Sequence, residues 1–244
     1  MSVLIVISMA FVVSYISYNV ADGVIANYAT YQELLEYDLH NMDYLAIMLG
    51  STDSTIFPFV DTSNYMVSIP SFLFYMVGIL LAGWRFIRLD RSYHPLLLAR
   101  LRTQQHFLRY LQRGICTKII VYSVSYTLIS YGVTKLLAPY PKDSLTIETV
   151  AIMLLFTISR IVLLYGLTQI MLLIYLKTNA IIAQFYLLFI IMMCLIFGMN
   201  SDVVNIVFYN PRLYFIPTFI VAIVLLISSK KIKESMAYQV LEKE

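Results

Sequence analysis

The chain has 244 residues, 60% apolar and only 13% charged, with a mean hydropathy of +0.79. That balance excludes a soluble globular domain and places the chain in a lipid bilayer. The net charge of +3 and pI near 8.7 do not imply nucleic acid, because what matters in a membrane chain is where the basic residues sit. A helix needs about 20 apolar residues to cross a hydrocarbon core roughly 30 Å thick, so this length allows about six spans in one domain. Cys116 and Cys194 are the two cysteines, one expected near the cytoplasm and one inside a span, which argues against a disulfide. His40, His94 and His106 lie far apart in sequence, and no His, Cys or carboxylate cluster has metal-ligand spacing.

The first apolar run, residues 3 to 20, has no Lys or Arg before it and no small-x-small cleavage site after it, so it reads as a retained helix and not as a signal peptide. Further spanning runs fall at 69 to 87, 118 to 138, 148 to 176, 178 to 198 and 213 to 229. Together they predict an all-α, polytopic fold of six transmembrane helices.

The segments between the runs give the orientation. Residues 21 to 68 carry seven acids, Asp22, Glu33, Glu36, Asp38, Asp43, Asp53 and Asp61, and no Lys or Arg, which predicts an outer loop. Residues 85 to 118 carry eight basic residues against the single acid Asp90, which predicts an inner loop. With Lys177 and the basic tail after Ser229, thirteen of the seventeen basic residues fall on the inner side, so both termini are predicted to be cytoplasmic. Within the outer loop, Tyr31, Leu34, Leu35, Leu39 and Met42 recur at helical spacing. They predict a short helix over 31 to 49, either resting on the bilayer surface or capping the bundle, and the Phe57-Pro58-Phe59 turn ends the pattern.

The inner loop is the most informative segment. Pro95 opens a predicted helix and Gly114 is the kind of residue that closes one. Arg102, Gln105, His106, Arg109, Gln112 and Arg113 share one face, while Leu97, Leu101, Leu108, Leu111 and Ile115 form an apolar stripe on the other. This helix can anchor to anionic headgroups at about 1 kcal/mol per arginine, or it can dock a soluble partner. A long basic hairpin between the second and third spans, with short turns elsewhere inside, is an asymmetry that anchoring alone does not require.

Within the fourth run, Arg160 lies about twelve residues deep, near mid-membrane. A charge there costs at least about 2.5 kcal/mol on insertion scales, so it calls for a wet cavity, a partner or a packed interface, unless the side chain snorkels outward. Thr157, Arg160, Leu164 and Thr168 share one helix face, which marks Thr157, Arg160 and Thr168 as candidate pathway or interface residues.

Six spans, cytoplasmic termini and a basic helical loop closing as ArgLeuArgThrGlnGlnHisPheLeuArgTyrLeuGlnArgGlyIleCysThrLys from Arg100 to Lys118 resemble the permease subunits of type-2 ABC exporters. The likeness is closest to the small permeases beside bacteriocin or lantibiotic export and self-immunity genes, and as architecture it covers nearly the whole chain. The resemblance implies a multi-pass protein of the bacterial plasma membrane that pairs with a second permease chain, alike or similar. It also implies that Arg100, Arg102, His106, Arg109 and Arg113 contact a cytoplasmic ATP-binding subunit, and that the cargo is a peptide or other amphipathic molecule. The long acidic outer loop is a departure from the wider class.

No enzymatic role is expected of this chain. None of its eight glycines is followed by Lys, so the phosphate-binding GxxxxGK[ST] loop is absent; the expected ATP and Mg belong to the partner, and no cofactor is expected here. HExxH and GxSxG motifs are also absent. The rival reading is a stand-alone membrane immunity or sensor protein that binds a ligand through residues 21 to 68. A secondary transporter is disfavoured, since one span alone carries a deep charge and no inverted repeat is visible.

Overall fold

The computed structural model describes residues 3–29, 39–50, 65–92, 104–139, 147–198, 223 and 226–227. All regular structure among them is helical, in the order α1 (Val3–Ala29), α2 (Asn41–Met48), α3 (Tyr65–Ser92), α4 (Gln104–Leu137), α5 (Ile147–Lys177) and α6 (Ala180–Gly198). Among the described residues three helices are long and apolar enough to cross a membrane, over Val3–Asn27, Gln112–Leu137 and Met153–Tyr175, and Ser68–Trp84 and Ala180–Cys194 are described as shorter apolar stretches. The chain is therefore an α-helical membrane protein. Of the expected run at 213 to 229, only the helical residues 223, 226 and 227 are described.

The helices form one bundle. α1 packs on α4 and α3, α3 on α6, and α5 on both α4 and α6. The α3–α5 approach is close because Gly78 has no side chain: a Cβ there would stand 2.6 Å from a Leu164 methyl. Small residues at such crossings let backbones approach where lipid supplies no hydrophobic drive for association. The outward faces of α1, α5 and α6 are apolar, with Leu4, Phe11, Leu154, Phe185 and Tyr186 all exposed, as a lipid-facing surface requires.

Two sequence expectations are corrected here. The first helix does not stop at residue 20 but runs to Ala29, because Ala21, Val24 and Ile25 continue its buried face against α2. Asp22 and Gly23 fall on its exposed side and so do not interrupt it. Likewise, Gly114 does not end a helix. α4 passes straight through it for 34 residues, since Ile115, Ile119 and Tyr122 extend one buried stripe whose packing outweighs the roughly 1 kcal/mol that a mid-helix glycine costs. Residues 93–103, with the predicted start at Pro95, lie outside the described residues.

The largest correction concerns the outer segment. Helix is found at Asn41–Met48, and it does not rest on a surface: it is inserted between α1, α3 and α4. Asn41, Asp43, Tyr44, Leu45, Ile47 and Met48 are all buried. Residues 30–38, where much of the expected amphipathic pattern falls, and the turn at 57–59 lie outside the described residues.

The topology is open to a direct check. In a background lacking Cys116 and Cys194, both of which are free thiols, Ala26→Cys at the exposed far end of α1 is expected to react with an impermeant thiol reagent from outside, and Thr103→Cys only from inside. The reverse pattern, or reaction of both from one side, contradicts the orientation expected from the charge distribution.

Candidate functional site

The candidate site begins with how α2 ends. Asp43 accepts a hydrogen bond from the His40 backbone N–H at 2.7 Å, fixing the start of the helix. Tyr44 donates its hydroxyl to Asp22 at 3.0 Å and stacks on Tyr18 with ring centroids 5.3 Å apart, which ties α2 to α1. At the other end the chain turns at Gly50, with φ of 69°, and the Gly50 N–H bonds to the Ile47 carbonyl at 2.8 Å. This is the left-handed glycine stop that satisfies part of a helix terminus.

A helix leaves its last carbonyls without internal partners, and inside a membrane bundle no bulk water satisfies them. Here two buried side chains do so. The Tyr126 hydroxyl donates to the Met48 carbonyl at 2.6 Å, and Arg160 Nη2 donates to the Leu49 carbonyl. Arg160 Nη2 also reaches Ser71 Oγ at 3.2 Å. Tyr126 lies eleven residues before the end of α4, so the α2 terminus meets it about 16 Å along that helix, inside its apolar stretch Gln112–Leu137.

Arg160 is 2% exposed. It does not snorkel; it is packed inside the bundle. Its guanidinium carbon sits 4.8 Å from the Phe74 ring centroid and 5.6 Å from that of Tyr126. Desolvated cation–π contacts reach about 2 kcal/mol, and the cationic side chain also favours the negative C-terminal end of α2. Phe74 is held in turn against Tyr122 and Tyr126 at 5.1 and 5.0 Å, and Tyr122 donates to the Phe74 carbonyl at 3.2 Å. Gly50 permits the assembly, since a Cβ at that position would fall on Ser71 Oγ and crowd Arg160 Nη2.

The neighbouring polar groups serve packing. Thr157 bonds to Thr127 at 2.8 Å at the wall of an apolar groove of about 250 Å³ between α4 and α5, lined also by Leu128, Met153 and Leu154. Thr168 is buried and donates back to the Tyr165 carbonyl at 2.8 Å. Of the expected trio on α5, Arg160 is therefore the residue that reaches the end of α2, and Thr157 the one that borders a groove. Ser14, Ser17 and Ser130 extend a hydrogen-bonded seam between α1 and α4 around Tyr126.

The second candidate site is the basic end of the bundle. α3 runs to Ser92 and α4 begins at Gln104, so both helices continue into the basic run that separates the apolar segments expected at 69 to 87 and 118 to 138. Both helices thus lead toward the same connecting segment through basic turns, with Arg85, Arg88 and Arg91 on α3 and Arg109 and Arg113 on α4, and this is the basic projection of the chain. Arg113 is exposed on this projection. His106 and Arg109 lie on the α4 backbone with their side chains outside the described residues, as do Arg100 and Arg102 altogether. Gln112, expected on the basic face, turns inward and donates to Gln169 on α5 at 2.9 Å. Among the described residues no group of His, Cys, Asp and Glu could hold a metal ion. No family model, curated protein or solved structure matches the chain.

Proposed function

We propose that this chain is the membrane-embedded permease subunit of an ATP-driven exporter, with six spans, both termini cytoplasmic, and a separate cytoplasmic ATPase docked on its basic projection. The observation that carries the reading is that both α3 and α4 stay helical into the basic run, α3 as far as Ser92 and α4 from Gln104. A loop that only anchors to headgroups has no need of two helices continuing into it, whereas a docking element must reach across the interface and keep its shape. Arg85, Arg88 and Arg91 fall on α3 there and Arg109 and Arg113 on α4, and acidic residues are nearly absent. A second permease chain completes the pathway, and the cargo is a peptide or another amphipathic molecule.

The stand-alone sensor reading draws on a different observation, the insertion of α2 from the outer loop onto Arg160. Purification from the native membrane separates the two. An ATP-binding subunit held stoichiometrically is expected, while its persistent absence under mild extraction favours the sensor.

A further inference from the structure

Arg160 holds more binding capacity than its partners use. Nη2 makes both of its hydrogen bonds, while Nη1 is buried with no partner. Among the described residues no carboxylate pairs with this side chain, and the α2 terminus offers only a partial negative charge. A guanidinium fork is built for two parallel hydrogen bonds to a planar anion. Two hydroxyls stand beside it: Ser71, which accepts from Nη2 and keeps its own proton to donate, and Tyr126, whose proton is given to the Met48 carbonyl. The three groups converge on one small volume beneath Phe74, occupied here by the Met48 and Leu49 carbonyls.

We propose that Arg160, Ser71 and Tyr126 form a binding site for the carboxylate of an amphipathic ligand, closed in this structure by the terminal carbonyls of α2. A full carboxylate takes both guanidinium nitrogens and neutralises the cation, which a neutral carbonyl cannot do. The ligand and α2 compete for the same donors, so binding frees the 39–50 segment from the bundle. The apolar and aromatic residues that stay beside the site when α2 leaves, Phe74, Tyr75 and Tyr122, suit a hydrocarbon body behind the carboxylate. The inference does not rest on ATPase docking, and either can fail without the other.

The test uses the full chain in nanodiscs, lacking Cys116 and Cys194 and carrying Ala46→Cys on α2, with octanoate as probe and octanol as its uncharged control. Octanoate is expected to accelerate thiol labelling at position 46 by about tenfold, a shift of one decade in the open population. Octanol at equal concentration is expected to leave the rate unchanged, as is sodium chloride. With Arg160→Gln the octanoate response is expected to vanish, and with Arg160→Lys, which keeps the charge but loses the fork, to shrink. Equal acceleration by octanol reduces the effect to membrane partitioning and overturns the site. Equal acceleration by chloride overturns the carboxylate assignment, and an undiminished response in Arg160→Gln overturns the role of the arginine. The octanoate and octanol comparison retains native Arg160, so it decides even where the Gln variant does not fold.

Discussion

Replacing Gly50 with Val is expected to expel α2 from the bundle. The backbone at Gly50 has φ of 69°, where an L-residue costs roughly 1–2 kcal/mol and a β-branched one more. The new Cβ would also overlap Ser71 Oγ, which can swing aside only by giving up its bond to Arg160 Nη2. If α2 leaves, the Tyr126 and Arg160 donors lose their carbonyls, and a buried group left unsatisfied costs about 1–3 kcal/mol, more when charged. Against a total stability of about 5–15 kcal/mol this is a severe change. The expected readouts are a lower thermal midpoint in detergent and fast thiol labelling of Ala46→Cys without any ligand. Gly50→Ala should be milder, and adding Ser71→Gly should relieve the overlap but not the backbone strain, so the pair should recover part of the loss. A Gly50→Val chain with a wild-type midpoint and a protected position 46 would contradict the inserted geometry.

The second large effect is expected at the basic projection. Arg109 and Arg113 lie one turn apart on α4 and so share a face, and Arg102 precedes them in the same charge run. An exposed ion pair is worth about 0.2–1 kcal/mol, so replacing all three with Gln removes up to about 3 kcal/mol of attraction to an acidic groove. At 1.4 kcal/mol per decade that weakens ATPase association by about 3- to 100-fold, with the remainder sensitive to salt. Gln preserves helix propensity, so insertion and the α4 packing should survive. The measurement is retention of the ATP-binding subunit across a salt series, alongside export. A triple variant that keeps its partner at every salt concentration would return this segment to the role of a membrane anchor.

What could be read from the residues, and what could not, follows from how each feature is encoded. The limits of α5 and α6 agree with the apolar runs at 148 to 176 and 178 to 198 within two residues, because unbroken apolar side chains are what make a spanning helix. The end of α1 was hidden because Asp22 and Gly23 have loop-forming character, although they merely occupy the exposed side of a helix whose other face stays apolar. Gly114 carried the signature of a stop without the left-handed backbone that makes one; Gly50 has both. The burial of α2 ran against its polar content. Asn41 and Asp43 are inside because the helix start and the Tyr44–Asp22 bond hold them there, and hydropathy does not count such partners. For Arg160, depth and the need for a partner were legible. The partner itself was not, since it is a backbone carbonyl 111 residues upstream, and a carbonyl leaves no mark on side-chain identity.

The most direct test of the permease reading is a photo-crosslink from the projection itself. Arg113 is exposed on α4 at the basic end of the bundle, so a benzoylphenylalanine placed there reports what covers that surface in the native membrane. The account predicts a covalent adduct between this chain and an ATP-binding protein. The adduct should be lost when Arg102 and Arg109 are replaced by Gln, and absent when the same group is placed at lipid-facing Leu154. Adducts to lipid alone at position 113, with the chain correctly inserted, would contradict it.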